Sequence, residues 1–196
     1  AGGLNPQSMA NEIEKILAKL KIDLKVAYIT GDDLMPRMED LIQLNEPFNN
    51  IDKGTPLKES DCHTLTANAY LGAWGIKEAL DLGADIVVCP RVTDAALVIG
   101  PAAWKFGWER NDYDKLAGAL AAGHIIECGC QATGGNYAFF KEVPSFDNVG
   151  YPIAEILEDG SFYITKHPGT GGLVSTGTVT AQLLYEISAP AYINPD

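Results

Sequence analysis

The 196-residue chain is 46% hydrophobic and carries 14 Lys and Arg against 26 Asp and Glu, a net charge of −12. That composition allows a sizeable core and excludes a wholly disordered chain, and the acidity argues against nucleic acid while leaving room for a local cationic pocket that holds an anion. No run of about 18 apolar residues is seen and no signal peptide is expected, and Cys62, Cys89, Cys128 and Cys130 lack the spacing of a secreted disulfide framework, so a reducing, cytoplasmic setting is expected.

The length suits one domain, or one with a small appendage. The opening "AGGLNP" lacks Met and reads as a loop inside a longer polypeptide. Asn5 is a good N-cap before Pro6, and Met9, Ile13, Ile16, Leu17 and Leu20 follow at helical spacing. "LKVAYIT" (24–30) reads as a mostly buried strand, and a short helix is expected over 36–44. Residues 45–63 form a long polar excursion of the kind that serves as a binding loop or lid.

A helix is predicted over 66–82, stopped by Gly83, and "DIVVC" (85–89) is a short β-branched strand. Cys89 ends that apolar run and is expected to be a buried thiol. A helix from Asp94 and another from about Asn111 follow, the second passing into a short strand near Ile125-Ile126. Alternating runs on either side of Asp159-Gly160 predict a hairpin, and "TVTAQLLYEIS" a last helix. The order predicts an α/β fold: a Rossmann-like, mostly parallel sheet with helices on both faces, followed by a C-terminal β-hairpin and helix. The expected organisation is a single domain over 1–196, with 151–196 as its appendage.

Ligands collect at the carboxyl ends of strands in open α/β sheets, and two polar clusters fall there. Asp32 and Asp33 follow the first strand; Arg91, Thr93 and Asp94 follow the second. Arg91 offers a fixed fork of donors to a carboxylate or phosphate. Thr93 and Asp94 suit the cap of the next helix, whose N-terminus favours an anion. The plainer alternative is that the aspartates only cap helices and Arg91 pairs with one of them.

"ECGCQATGGN" (127–136) packs a carboxylate, two thiols, an amide and three glycines together. Glu127 is a candidate general acid or base, because burial raises a carboxyl pKa. Cys128 is a nucleophile only beside a cation or helix N-terminus, and both cysteines read more simply as small buried residues. Cys128-x-Cys130, His124 and the Cys62-His63 pair lack the C-x2-C pairing of structural zinc, so no metal site is expected. In "TKHPGTGGLVSTGT" (165–178), Lys166 precedes the glycines and no Lys-Ser/Thr follows them, which excludes a P-loop. The expectation is an anion cradle built from Lys166, Gly169, Thr170, Gly171 and Gly172; the alternative is a glycine-rich connection.

The stretches "TANAYLGAWGI", "DIVVCPRVTDAALVIGP", "GWERNDYDKLAGALAAGHIIECGCQATGGN" and "YPIAEILEDGSFYITKHPGTGGLVSTGTVTAQLLYEI" together resemble the acyclic terpene utilisation, AtuA-like, family, in order from Ala1 to Asp196. The resemblance implies a longer protein, with a preceding strand and helix and often a further small α/β domain. It also implies a role in catabolism of acyclic terpenes such as citronellol and geraniol through acyl-CoA thioesters, a pathway rather than a reaction. Recurrent polar positions of the family fall on Asn5, Asp32, Arg91, Thr93, Asp94, Glu127, Gln131, Gly134, Gly135, Asn136, Lys166, Thr170, Gly171 and Gly172. Pro90 stands where the family commonly has glycine before the arginine, which alters the loop that aims Arg91.

The function expected is an enzyme acting on an acyl-CoA or branched carboxylate by hydration, dehydration or lyase-type chemistry. Arg91, Lys166 and the glycines of 169–172 would hold the anion, Glu127 or Asp94 move the proton, and Gln131 and Asn136 orient the carbonyl. A CoA thioester is a possible substrate, and no other cofactor is expected. Two other readings stand beside it. One is a non-catalytic subunit that binds a pathway enzyme, with Trp104, Phe106, Trp108 and Tyr113 as its aromatics; association with a second copy is also compatible. The other is a nucleotide- or phosphate-binding protein.

Overall fold

The computed structural model describes residues 2–61, 63–185, 187 and 189–196. Helix α1 (Pro6–Leu20) begins as its sequence predicts, with the Asn5 side chain accepting from the Ser8 N–H at 3.0 Å and Pro6 in the first turn. Pro6 and Ala10 are its buried residues, whereas Met9, Ile16 and Leu20 stay exposed. Strand β1 (Val26–Tyr28) pairs in parallel with β2 (Ile86–Val88), Val26 opposite Ile86 and Tyr28 opposite Val88. Helix α1 packs against both strands.

Between the strands lie a 3-10 turn (Met35–Arg37), α2 (Met38–Gln43), the irregular stretch 45–61 with a second 3-10 turn (Leu57–Glu59), and α3 (Trp74–Asp81). Helix α3 is half the length predicted. Residues 67–71 are extended instead, bridging Asp33 through Asn68 and Val92 through Leu71. At the start of α3, the Asp196 carboxylate accepts from the Ala73 N–H, in space left by Gly72. Tertiary hydrogen bonds thus override the helical propensity of the Leu, Ala and Tyr residues in this stretch.

Helices α4 (Ala96–Phe106) and α5 (Tyr113–Ile126) complete the core with α3. Their contact surfaces are rich in alanine: Ala73, Ala95, Ala96, Ala102, Ala103 and Ala119 are buried with Ile76, Ile99 and Leu116. Small side chains let helix backbones approach closely, and each contact is lost if one helix is pushed off. Trp108 is the largest fully buried side chain, 1% exposed; it stacks on Phe106 at 5.5 Å and donates its indole N–H to the Glu158 carbonyl at 3.0 Å. That bond ties the helical core to the hairpin of β3 (Pro152–Ile156) and β4 (Phe162–Lys166). The hairpin turns at Asp159-Gly160 as expected, with Asp159 Oδ1 accepting from the Ser161 N–H at 2.9 Å. Helix α6 (Thr176–Leu184) starts in a reciprocal capping box between Ser175 and Thr178 and packs on α5. The sequence places this helix two residues later at its start and carries it to Ser188; Glu186 and Ser188 lie outside the described residues.

The α/β class holds, but the sheet is smaller than the sequence suggests. Among the described residues the parallel part has two strands of three residues each, and the other sheet is the antiparallel hairpin. The strand expected near Ile125-Ile126 is not formed, because α5 continues through Ile126 and buries Ile125. A short apolar run with no turn before it reads equally as helix or strand, and here the helix already under way decides.

Candidate functional site

The carboxyl ends of β1 and β2 are joined by one buried carboxylate. Asp32 is buried; its Oδ2 accepts from the Asn68 side-chain amide at 2.9 Å and from the Arg91 N–H at 3.4 Å. The Asp32 carbonyl takes the Ala69 N–H at 2.8 Å. Leu71 then donates its N–H to the Arg91 carbonyl and accepts from the Thr93 N–H, both at 2.9 Å. Residues 67–71 and 91–93 therefore run side by side, which sets Tyr70 beside Arg91. Asp33 takes the plainer role, accepting from the Met35 N–H at 3.0 Å at the 3-10 turn.

With Asp32 engaged by backbone and amide donors, it does not neutralise the Arg91 side chain. Among the described residues the Arg91 guanidinium has no ion-pair or hydrogen-bond partner, and it is exposed. The capping roles expected of Thr93 and Asp94 are not found: α4 has Ala95 at its N-cap and no side-chain cap. The reason is register. Thr93 turns its N–H to Leu71, its carbonyl takes the Ala96 N–H, and its Oγ1 is buried without a partner. The Asp94 carboxylate is left exposed at the head of α4.

Glu127 arrives at the same place from the other side. Gly123 on α5 faces Ala95: a Cβ built there would lie 2.8 Å from Ala95 Cα and 3.0 Å from its Cβ. Only glycine permits this approach, and it brings the end of α5, one turn on, against the start of α4. Glu127 is 12% exposed there, with its Oε1 3.8 Å from His124 Nδ1. Two cavities result. One of about 410 Å³ is lined by Asp94, Leu97, Val98, Gly123, Ile126, Glu127, Cys128 and Tyr185. The other, about 250 Å³, is lined by Tyr70, Val87, Cys89, Pro90, Arg91, Val92, Asp94 and Leu97. Asp94 and Leu97 border both, so the two adjoin as one groove along the first turn of α4. Cys89, in the smaller one, is a buried thiol whose pKa burial pushes up.

The remaining sequence candidates lie elsewhere. Asn5 is engaged in capping α1. Gln131, Gly134, Gly135 and Asn136 belong to a run of tight turns in which Gly134 and Asn136 both donate N–H to the Gln131 carbonyl and Gly135 donates to Cys130. This run interlocks with the glycine loop. Leu173 donates to the Thr133 carbonyl at 2.8 Å, Gly172 to Ser145 at 2.7 Å and Gly171 to Asn148 at 3.0 Å. Gly172 has a φ of +81°, and a Cβ there would meet the Thr133 oxygen at 2.7 Å. Lys166 Nζ donates to the Thr170 carbonyl at 2.7 Å, and Thr170 Oγ1 to His167 at 2.6 Å. The N–H groups of Gly171 and Gly172 thus point at carbonyls of neighbouring turns, the arrangement of a close-packed connection. Gly169 sits at the loop's outer bend with a φ of +76°.

Cys128 and Cys130 are half-buried, with Cys128 Sγ 3.0 Å from the Tyr185 hydroxyl. Among the described residues no three His, Cys, Asp or Glu side chains gather as a metal site; Cys62 lies outside them. No helix is long and apolar enough to cross a membrane. Of the aromatic span, Trp108 is core and Phe106 stacks on it, while Trp104 and Tyr113 are exposed.

Sequence reasoning missed Tyr70, Leu97 and Tyr185. Tyr70 was hidden inside a predicted helix, Leu97 looks like any core leucine, and Tyr185 reaches the groove only because α6 docks on α5.

These features define a mixed α/β protein with a groove, lined by an arginine and two carboxylates, beyond the carboxyl ends of its parallel strands. Its whole length, residues 1–196, matches the acyclic terpene utilisation family protein AtuA, and the chain belongs to that family. No curated protein and no solved structure matches it.

Proposed function

We propose that this protein is a cytoplasmic catabolic enzyme that binds an organic anion in the Arg91 groove and moves a proton on it. The substrate is a branched carboxylate or its acyl-CoA thioester, consistent with the family's link to acyclic terpenes. The observation that carries the reading is the unpartnered Arg91 guanidinium in a groove that also holds Asp94 and Glu127. Arg91 binds the anionic end by paired N–H donors. Glu127, shielded between α4 and α5, or Asp94, at the junction of the cavities, takes or gives the proton in a hydration, dehydration or lyase-type step. Lys166 and the 169–172 loop support the fold in this reading, as do Gln131 and Asn136.

Each of those reactions makes or breaks a C–H bond, so the test is deuterium entry into candidate acids and thioesters in D2O, followed by NMR. Exchange that Glu127→Gln or Asp94→Asn abolishes in a folded protein supports the proposal. Exchange unchanged in both variants and in Arg91→Ala rejects it. A partner-binding role is the second reading, favoured by the exposure of Tyr113, Phe139, Phe140 and Tyr151, each more than half accessible. Co-purification of a stable complex without ligand would support it.

A further inference from the structure

The groove's two compartments differ in chemistry, and the difference selects between the two substrate forms just named. Among the described residues that line it, Arg91 is the one cation, and it lies in the smaller compartment alone. There Tyr70 and the guanidinium lie beside Val87, Cys89, Pro90 and Val92, and the Asp94 carboxylate lines the junction with the larger compartment. The larger compartment is lined by Leu97, Val98 and Ile126, and also by Asp94, Glu127, Cys128 and Tyr185. Leu97 is 57% exposed, an apolar side chain turned to the groove where the compartments meet.

We infer that the groove takes a free carboxylate borne on an apolar chain, rather than a CoA thioester. This rests on the Arg91 groove being the substrate site. The carboxylate sits in the bidentate fork of Arg91 with Tyr70 beside it, and the chain crosses Leu97 into the seam between α4 and α5. A free acid brings one charge, which one guanidinium matches. A CoA thioester has no carboxylate at the acyl end and carries a pyrophosphate and a further phosphate. In a chain of net charge −12, with two carboxylates and one cation lining the groove, those phosphates meet repulsion. The glycine loop does not compensate, because the Gly171 and Gly172 N–H groups and Lys166 Nζ are bound to carbonyl oxygens.

The test uses the full chain and isothermal titration with sodium butanoate, hexanoate and octanoate, octanoyl-CoA and CoA. Burial of each methylene tightens binding by about fourfold, so octanoate should bind about two orders of magnitude tighter than butanoate. Arg91→Gln, at an exposed site, should weaken all three acids by a similar factor, and Leu97→Asn should flatten the dependence on length; circular dichroism melting confirms that both fold. Octanoyl-CoA binding more tightly than octanoate, or acids that need Arg91 but show no length dependence, would overturn this inference and leave the anion groove standing. Acids that bind equally well to Arg91→Gln, or no binding of any of these ligands, would remove both.

Discussion

Replacing Gly123 with alanine sets two effects of opposite sign against each other. In a helix interior, Gly→Ala is favourable by about 0.8–1 kcal/mol because glycine loses more backbone entropy. Against that, the new methyl would sit 2.8 Å from Ala95 Cα and 3.2 Å from its carbonyl oxygen. Those are backbone atoms that no rotamer change can move, so α4 and α5 must part by several tenths of an ångström. Overpacking of that kind costs about 1–3 kcal/mol. The clash should win, with a net loss of about 1 kcal/mol. Urea unfolding with an unchanged slope should show a midpoint lower by about 0.4 M, for a slope of about 2.5 kcal/mol/M. Because the seam ends at Glu127 and Cys128, alkylation of Cys128 should also become faster. A midpoint equal to or above that of the parent would refute the reasoning: helix propensity would then outweigh the contact, and the α4–α5 seam would not be what holds Glu127 beside Asp94.

Gly172→Ala adds a left-handed φ of +81° to a 2.7 Å contact with the Thr133 oxygen, so it should destabilise by about 3 kcal/mol or more, seen as a large drop in melting temperature. Thr133→Val removes a buried hydroxyl that donates to the Gly150 carbonyl at 2.7 Å and should cost about 1–3 kcal/mol in the same assay. Trp108→Ala should cost about 3–5 kcal/mol, since the indole is fully buried and bonded to the hairpin. Asp196 carries a pH dependence. Burial raises its carboxyl above the ordinary 3.8, against the opposing pull of the Ala73 N–H and Arg110. The folded form therefore holds its proton more tightly than the unfolded chain. Its contribution is fully present below about pH 3.8 and is lost as pH rises through the raised folded value. Asp196→Asn, which keeps the acceptor for Ala73, should gain stability relative to the parent over that rise; a constant difference between the two from pH 3 to 7 would contradict it.

Local chemistry was legible in the sequence wherever one residue determines an outcome. Asn5 and Pro6 start α1, Gly83 stops α3, and Asp159-Gly160 turns the hairpin, each through its own backbone or side chain. The placement of Arg91 and Asp94 beyond a strand end was legible too, because strand ends are where the chain leaves the sheet; Glu127 instead follows the end of α5, where the sequence suggests a strand. What sequence could not supply were decisions made by distant partners. Asn68 is extended because Asp32 binds its amide, and Ala73 begins a helix because Asp196 lies above it. The glycine loop shows the same limit. Glycines that free N–H groups for an anion and glycines that let turns interlock look alike until Ser145, Asn148 and Thr133 are seen to accept those N–H groups.

The central claim is that Arg91 anchors an anionic substrate, and thermal melting of the full-length protein and its Arg91→Gln variant tests it most directly. The ligands are alkanoates, CoA, acyl-CoAs, ATP and inorganic phosphate. At a hundredfold excess over Kd, binding adds about 2.7 kcal/mol to stability, or about 5–10 °C for a chain of this size. The account predicts such a rise with an organic anion in the parent protein and its loss in Arg91→Gln. An equal rise in both proteins, or none with any ligand, would contradict it.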